Sequence, residues 1–215
     1  MYLSKNLQIY LKTTDTCNLN CAHCFTSGSE GKRVFFEPNT ITHSVSRLVD
    51  QYNLESINIV LHGGEPMLAP LDDLKKIIKS LSQIPIQIQF GVQTNLVYPL
   101  SEEKLNFFNE NFMPGMGTSW DYNIRFGSLN DTTEQRQREL WEKNVEKLVS
   151  FGHSLTLFVS LHKDLIEEVS PEFIINYAIK LGFKFIQFER ITRDGNAKIN
   201  TDIYISNQHP KWYAR

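Results

Sequence analysis

Residues 17–24 read CNLNCAHC and contain all three cysteines of the 215-residue chain. Random placement would crowd three cysteines this closely in fewer than about 1% of cases, so the cluster indicates a local function. A disulfide framework is unfavourable, because one thiol would be left over and the intervening loops are very short. If the segment were a helix, the three cysteines would lie on one face and could pack as small apolar side chains. The residues before and between them are, however, poor helix formers. Three neighbouring thiolates therefore predict a metal site.

The residues alone leave the identity of the metal open. Zinc is one candidate, because three thiolates with His23 or His43 complete a tetrahedral site. The usual zinc signature is a pair of CxxC knuckles, or one CxxC with a distant HxxxH, and the chain contains neither. An iron–sulfur cluster is the other candidate, although such clusters usually have four cysteine ligands. With three, one iron keeps an open coordination position where a substrate or cofactor binds.

A second motif, His62-Gly63-Gly64-Glu65-Pro66, follows an apolar run. Glycines without Cβ atoms let main-chain polar groups approach a ligand's ammonium, Glu65 offers a charged partner, and Pro66 fixes the exit of the chain. Alone, the pentapeptide would indicate only a turn that closes a strand. Together with the spacing CxxxCxxC after a first strand, it resembles the radical S-adenosylmethionine (SAM) superfamily. The resemblance implies that Gly63, Gly64, Glu65 and Pro66 belong to the SAM site.

Two further segments agree with this family. Gln93-Thr94-Asn95 ends an alternating run and resembles a segment that approaches the SAM ribose, since hydroxyl and amide groups suit a sugar diol. Ser119 in GTSWD, followed by Arg125, is similar to the residues that hold the SAM carboxylate in the peptide-modifying branch. A guanidinium fits a carboxylate bidentately. If the resemblance is left aside, these residues are also compatible with polar strand ends and turns.

Residues 188–197, FERITRDGNA, are similar to the segment after strand six in relatives with a C-terminal SPASM extension. The resemblance assigns this segment, with Ile191, to the adenine side of the SAM pocket. Such relatives carry further cysteines, whereas this chain has none after Cys24. Either the extension is absent or the chain is a truncated product, and we expect truncation because residues 206–215 begin a helical pattern. We expect residues 1–215 to form one radical SAM core domain that lacks a SPASM extension.

Strand-like and helix-like segments alternate along the chain, which predicts a parallel sheet built from βα units. The expected strands are 7–13, 57 to the glycines at 63–64, 86–94, 115–119, 155–160 and 184–188. Helices are expected at 39–52 and 71–81, after Ser101, before Gly152, and after Ser170 with Pro171 at its first position. Eight βα units typically need about 250 residues. We therefore expect an α/β fold with a partial (β/α)6 barrel of parallel strands, open on one side, as the resemblance also implies.

The resemblance further implies the cofactors and the chemistry. Cys17, Cys21 and Cys24 would ligate three irons of a [4Fe-4S] cluster, and the amino and carboxylate groups of SAM would chelate the fourth. An external one-electron donor of the flavodoxin or ferredoxin type reduces the cluster. Reductive cleavage of SAM then gives methionine and a 5′-deoxyadenosyl radical, which abstracts hydrogen from the substrate.

The GTSWD and FERIT segments resemble the peptide-modifying branch of the family. This resemblance implies a peptide or protein substrate and a role in maturation. Two alternatives from other classes remain: a zinc-stabilised binding module, and a catalytically inactive truncated barrel that acts as a partner subunit. Measurement of bound metal and of SAM cleavage distinguishes these three hypotheses.

Composition excludes other classes. The chain has 22 basic and 24 acidic residues and a formal net charge of −2, without a run of like charges. Nucleic acid is therefore not expected as a partner. No stretch approaches the roughly 18 consecutive apolar residues of a membrane span, and the first 15 residues do not resemble a secretory signal. We expect a cytoplasmic protein without a membrane partner.

Overall fold

The computed structural model of the protein describes residues 5–26, 36–113, 115–126 and 131–205. The strands are β1 (Asn6–Thr14), β2 (Ser56–Gly63), β3 (Gln87–Gln93), β4 (Met116–Ser119), β5 (Leu155–Leu161) and β6 (Phe185–Arg190). The helices are α1 (Pro38–Tyr52), α2 (Leu71–Leu81), α3 (Glu102–Asn111), α4 (Asp131–Ser150), α5 (Lys163–Glu168) and α6 (Pro171–Lys180).

All six strands run parallel in the order β1-β2-β3-β4-β5-β6. Each strand is followed by a helix before the next strand begins, except at the end of the sheet. Within the described ranges β1 and β6 do not pair with each other, so the sheet is an open partial barrel. The predicted α/β fold class is confirmed.

Local signals begin the helices where the sequence predicts. The hydroxyl of Ser170 accepts a hydrogen bond from the N–H of Phe173 at 3.1 Å, which caps α6. The hydroxyl of Ser101 caps α3 in the same way, by accepting from the N–H of Lys104 at 3.3 Å. A Ser at the N-cap satisfies one of the backbone donors that a helix leaves unpaired.

Two elements differ from the expectation. Helix α5 was not predicted, because its six residues are too few for helical periodicity to show. Strand β6 ends at Arg190 rather than at residue 188. The longer strand brings Glu189 into the sheet, where its neighbour on β5 is Ser160.

The two faces of the sheet differ in character. On β2, Ile57, Ile59 and Leu61 are at most 2% exposed and belong to the apolar core under the helices. Burial of each such side chain contributes about 1.5–3 kcal/mol. The opposite, inner face carries exposed amide side chains that are paired in register across the first three strands: Gln8, Asn58 and Gln89.

The carboxyl ends of all six strands meet at one edge of the partial barrel, which is where parallel α/β barrels hold their sites. In the part of the chain that the structure describes, no helix has the length and apolar character to cross a membrane.

Candidate active site

The cysteine loop, residues 15–26, follows β1 at this edge and is held by backbone hydrogen bonds from other segments. The N–H of Glu65, after β2, donates to the carbonyl of Thr16 at 2.8 Å. The N–H of Ala22 donates to the carbonyl of Ile124, after β4, at 3.0 Å. The loop is therefore fixed by the same strand ends that carry the other predicted motifs.

A cavity of about 900 Å³, counting the part open to solvent, lies beside the cysteine loop. With two exceptions, the residues singled out in the sequence line it: Cys17, Cys21, Cys24, Gly63, Gly64, Gln93, Thr94, Asn95, Ser119, Arg125 and Ile191. The lining also includes residues to which the sequence assigned no individual role, among them His62, Ser160 and Glu189. The sequence feature that could have identified them is a polar side chain at or near the end of a strand.

The two exceptions are Glu65 and Pro66, which lie outside the cavity lining, so their assignment to the SAM site stays a prediction. The Glu65 carboxylate is fully buried and accepts hydrogen bonds from the N–H of Met67 at 2.9 Å, the hydroxyl of Thr94 at 2.7 Å and the N–H of Asn95 at 2.6 Å. Burial raises its pKa to about 6 despite these donors. Glu65 thus joins the end of β2 to the end of β3.

Thr94 and Asn95 line the cavity, but their side chains are bonded within the protein. Besides the Glu65 carboxylate, the Thr94 hydroxyl is bonded to the hydroxyl of Tyr98 at 2.7 Å. The Asn95 amide donates to Asn18 Oδ1 at 2.8 Å, and its oxygen accepts from the N–H of Val97 at 2.8 Å. Little hydrogen-bonding capacity is left on either side chain for a ligand.

Gly63 and Gly64 are required by close packing against the start of the cysteine loop. Gly63 has a φ of +147°, and a Cβ atom there would lie 2.4 Å from the carbonyl oxygen of Thr14. At Gly64 a Cβ atom would lie 2.3 Å from the carbonyl oxygen of Thr16. The absent side chains therefore let the ends of β1 and β2 approach, while both glycines still border the cavity.

A buried ion network organises the wall formed by β4 and β5. Asp121 is fully buried; its carboxylate accepts from Arg125 Nε at 2.7 Å and from the N–H of Ser160 at 2.7 Å, and lies 3.2 Å from His23 Nε2. Burial alone would raise the pKa of Asp121, but Arg125 and His23 hold it well below its usual range. The guanidinium of Arg125 is thereby anchored through Nε at the cavity wall.

The cysteine thiols differ in their surroundings. Burial raises the pKa of Cys21 to about 12, although the guanidinium of Arg125 favours the thiolate. Burial also raises the pKa of Cys17, against a backbone hydrogen bond from Leu19. Because metal ligands must be deprotonated, metal uptake at this loop has to release protons.

The donor set fits a cluster better than a single ion. Ligands of one zinc ion converge on one point. Within the described ranges, no group of three or more His, Cys, Asp or Glu side chains converges in this way. His23 lies against Asp121, and His43 is exposed on α1. In a [4Fe-4S] cluster each thiolate ligates a different iron, so the sulfurs surround the cluster rather than converge on one ion, and Cys17, Cys21 and Cys24 all border one cavity.

A clamp that sequence reasoning missed comes from the segment after β6. Gly195 has a φ of +53°, and a Cβ atom there would lie 2.3 Å from the carbonyl oxygen of Cys24. The N–H of Asn196 donates to that same carbonyl at 2.8 Å. The Gly-Asn pair in FERITRDGNA is the signal that was available for this contact.

Comparison with known proteins agrees with this geometry. The family model described as "Radical SAM superfamily" matches residues 11–169, which is most of the chain. The chain belongs to the radical SAM superfamily. Members are enzymes that use a [4Fe-4S] cluster and SAM, so the predicted family and cofactors are confirmed.

Among radical SAM relatives, the serine-type anaerobic sulfatase-maturating enzyme of Klebsiella pneumoniae is 22% identical over 190 residues, 84% of this chain and 47% of that protein. An uncharacterised protein of Methanocaldococcus jannaschii is 32% identical over 89 residues, 40% of this chain and 29% of its own length. The chain thus spans less than half the length of both curated relatives.

Solved structures share the radical SAM fold. Native anSMEcpe with bound AdoMet superposes with a TM-score of 0.67 at 22% identity, over 86% of this chain and 52% of that one. SuiB of Streptococcus suis, bound to the precursor peptide SuiA, superposes with a TM-score of 0.61 at 13% identity, over 95% of this chain and 42% of that one. Both likenesses concern the partial barrel.

Proposed function

We propose that this chain binds a [4Fe-4S] cluster and SAM and cleaves SAM reductively, to abstract hydrogen from a peptide or protein during its maturation. The observation that carries the proposal is the shared cavity. Cys17, Cys21 and Cys24 line it together with the predicted SAM-binding residues of four other strand ends. Residues 1–215 are proposed to be one radical SAM core domain.

The bound cofactors supply the electron transfer to SAM and the 5′-deoxyadenosyl radical that abstracts hydrogen. The protein's own residues bind and orient. The three thiolates hold the cluster against the loop, and the backbone at Gly63 and Gly64 receives the SAM ammonium. Arg125, fixed by Asp121, offers its remaining guanidinium N–H groups to the SAM carboxylate, with Ser119 beside it. Ile191 packs on the adenine side.

A peptide substrate is supported by the inner face of the barrel. Side-chain amides both donate and accept hydrogen bonds, as the backbone of an extended peptide does. Exposed glutamine and asparagine side chains stand on this face on β1, β2, β3 and β6: Gln8, Asn58, Gln89 and Gln187. Solved relatives are described with bound peptides: anSMEcpe with Cp18Cys peptide, and SuiB with its precursor peptide SuiA.

The external electron donor is proposed to be of the flavodoxin or ferredoxin type. We also propose a cytoplasmic location, because a reducing compartment keeps thiols available for metal. The three cysteines are all free of disulfide bonds.

Anoxic reconstitution with iron and sulfide tests the proposal. We expect four irons and four sulfides per chain, and 5′-deoxyadenosine and methionine from SAM under dithionite. Cys21→Ala should lose both the cluster and the cleavage. Cleavage that survives this substitution would refute the ligand assignment. A cluster without cleavage would support the inactive partner subunit, and retention of one zinc would support the binding module.

A further inference from the structure

Glu189 is the one acidic side chain among the described residues that line the cavity. It lies on the inner face of β6, beside Ser160 of β5. Its side chain is half-buried, so it borders the cavity without being sealed in the core. The resemblance assigns its segment to the adenine side of the pocket but gives Glu189 itself no role.

The hydrogen-bonding state of Glu189 distinguishes it from the other two carboxylates near the site. Glu65 and Asp121 each accept three hydrogen bonds or ion-pair contacts from the protein and are fully buried. Glu189 accepts one bond, from Gln187 Nε2 at 3.3 Å. Within the described ranges, no Lys, Arg or His nitrogen lies within 4.0 Å of it. Most of its acceptor capacity is therefore available to a ligand.

The residues expected to bind the ribose have few hydrogen-bonding groups left for it. The side chains of Thr94 and Asn95 are occupied by internal hydrogen bonds. Gln93 is bonded to His62, which leaves it only part of its capacity. A sugar diol needs acceptors for two hydroxyl donors, and a carboxylate supplies two oxygens. Nucleotide sites on other folds bind ribose hydroxyls with an acidic residue for the same reason.

Position along the chain favours the ribose over other groups of SAM. Ile191, which borders the cavity on the expected adenine side, lies two residues after Glu189. Two residues of extended chain span about 6.6 Å, and the ribose is bonded directly to the adenine. The backbone that receives the ammonium, at Gly63 and Gly64, is at the end of β2, four strands away.

We propose that the Glu189 carboxylate binds the ribose hydroxyls of SAM. This inference rests on the proposed function, because it requires that the cavity binds SAM. Glu189 is then a cofactor-binding residue that fixes the nucleoside half of SAM, while Arg125 and the glycines hold the methionine half.

The test measures binding by calorimetry to the anoxically reconstituted protein, with S-adenosylhomocysteine and its 2′-deoxy analogue as probes. The wild type should bind S-adenosylhomocysteine about tenfold or more tightly than the analogue. Glu189→Ala should bind S-adenosylhomocysteine about tenfold or more weakly than the wild type, and should not discriminate between the two probes. The comparison of probes on the wild type needs no variant, so it stands even if a substitution impairs folding.

Asp194→Asn is the matched control, since it removes the same charge from an exposed residue of the same segment that does not line the cavity. It should bind both probes as the wild type does. Equal losses in both variants would indicate a general charge effect and overturn the inference. A wild type that binds the two probes equally would also overturn it, while the proposed function stands if the cluster forms and SAM is cleaved. If the loaded wild type binds neither probe, both proposals fail.

Discussion

The side-chain amide of Asn196 donates a hydrogen bond to the backbone carbonyl of Cys21 at 3.0 Å, although 175 positions separate them in the sequence. The same amide donates to Asn20 Oδ1 at 2.9 Å. Asn196 follows the last strand of the sheet, and the cysteine loop follows the first. The two ends of an open sheet are thus joined at the site itself. The geometry of the thiols depends on the chain beyond β6.

Gly195→Ala tests this dependence. The substitution puts a Cβ atom on the carbonyl oxygen of Cys24 and strains a φ of +53°, so the clamp and the loop have to shift. Changes in residues that orient metal ligands typically cost about 10–100-fold in metal affinity. We expect iron to be lost to a chelator faster by a factor in this range, measured from the visible absorbance of the anoxic protein.

Gly152→Ala is the control for backbone strain alone. Gly152 has a φ of +90°, but the nearest atom to an added Cβ is Met113 Cε at 3.8 Å, and neither residue lines the cavity. It should lower the free energy of unfolding by about 1 kcal/mol without changing the rate of iron loss. Equal rates of iron loss in the two variants would argue against the clamp.

The sequence predicts the parts of the site that depend on local chemistry. The cysteines, the two glycines and the six strands follow from spacing and periodicity, and the structure brings them together. The internal hydrogen bonds of Glu65 could not be predicted, because a carboxylate in such a motif can contact either a ligand or the backbone, and only its burial distinguishes the two. The Asn196 contact is a long-range hydrogen bond of one polar side chain, and hydrophobic periodicity does not predict such a contact.

Asp121→Asn should destabilise the fold strongly. The substitution removes the charge that compensates the guanidinium of Arg125, whose side chain is only 12% exposed, and leaves that cation unpaired. Breaking a buried pair on one side costs about 3–5 kcal/mol. Urea unfolding of the apo-protein should show a loss of this size, and the double variant Asp121→Asn/Arg125→Gln should lose less than the two single variants added together.

The surface pair of Lys75 and Glu103, at 2.9 Å between Nζ and Oε1, provides the contrast. Glu103→Gln should change the unfolding midpoint only slightly, since exposed ion pairs are well solvated and screened by salt. If Asp121→Asn has an effect as small as that of Glu103→Gln, the buried network does not hold the wall of the cavity.

Cys21 should be the last of the three thiols to be alkylated in the folded apo-protein. Only the thiolate reacts, and burial raises the pKa of Cys21 to about 12, so little thiolate is present at neutral pH. Timed treatment with iodoacetamide under anoxic conditions, followed by peptide mass spectrometry, measures the order. In urea the three rates should converge. Modification of Cys21 ahead of Cys24 in the folded protein would contradict the burial of that thiol.

Glu65 should make the stability of the protein fall as the pH rises from about 4.5 to 6. Burial raises its pKa from an ordinary 4.5 to about 6, so across this window the unfolded chain releases the proton before the folded protein does. The carboxyl therefore stabilises the fold fully below pH 4.5 and loses that contribution as the pH passes 6. A shift of 1.5 pKa units corresponds to about 2 kcal/mol.

Glu65→Gln cannot titrate, so the difference in unfolding free energy between the wild type and this variant isolates the effect from other carboxyls. Urea unfolding of both apo-proteins between pH 4 and 7 should show that the difference declines by about 2 kcal/mol as the pH rises. Since the cause is desolvation, added salt should leave the decline in place. A difference that stays constant across this range would mean that the three hydrogen bonds to Glu65 offset its burial.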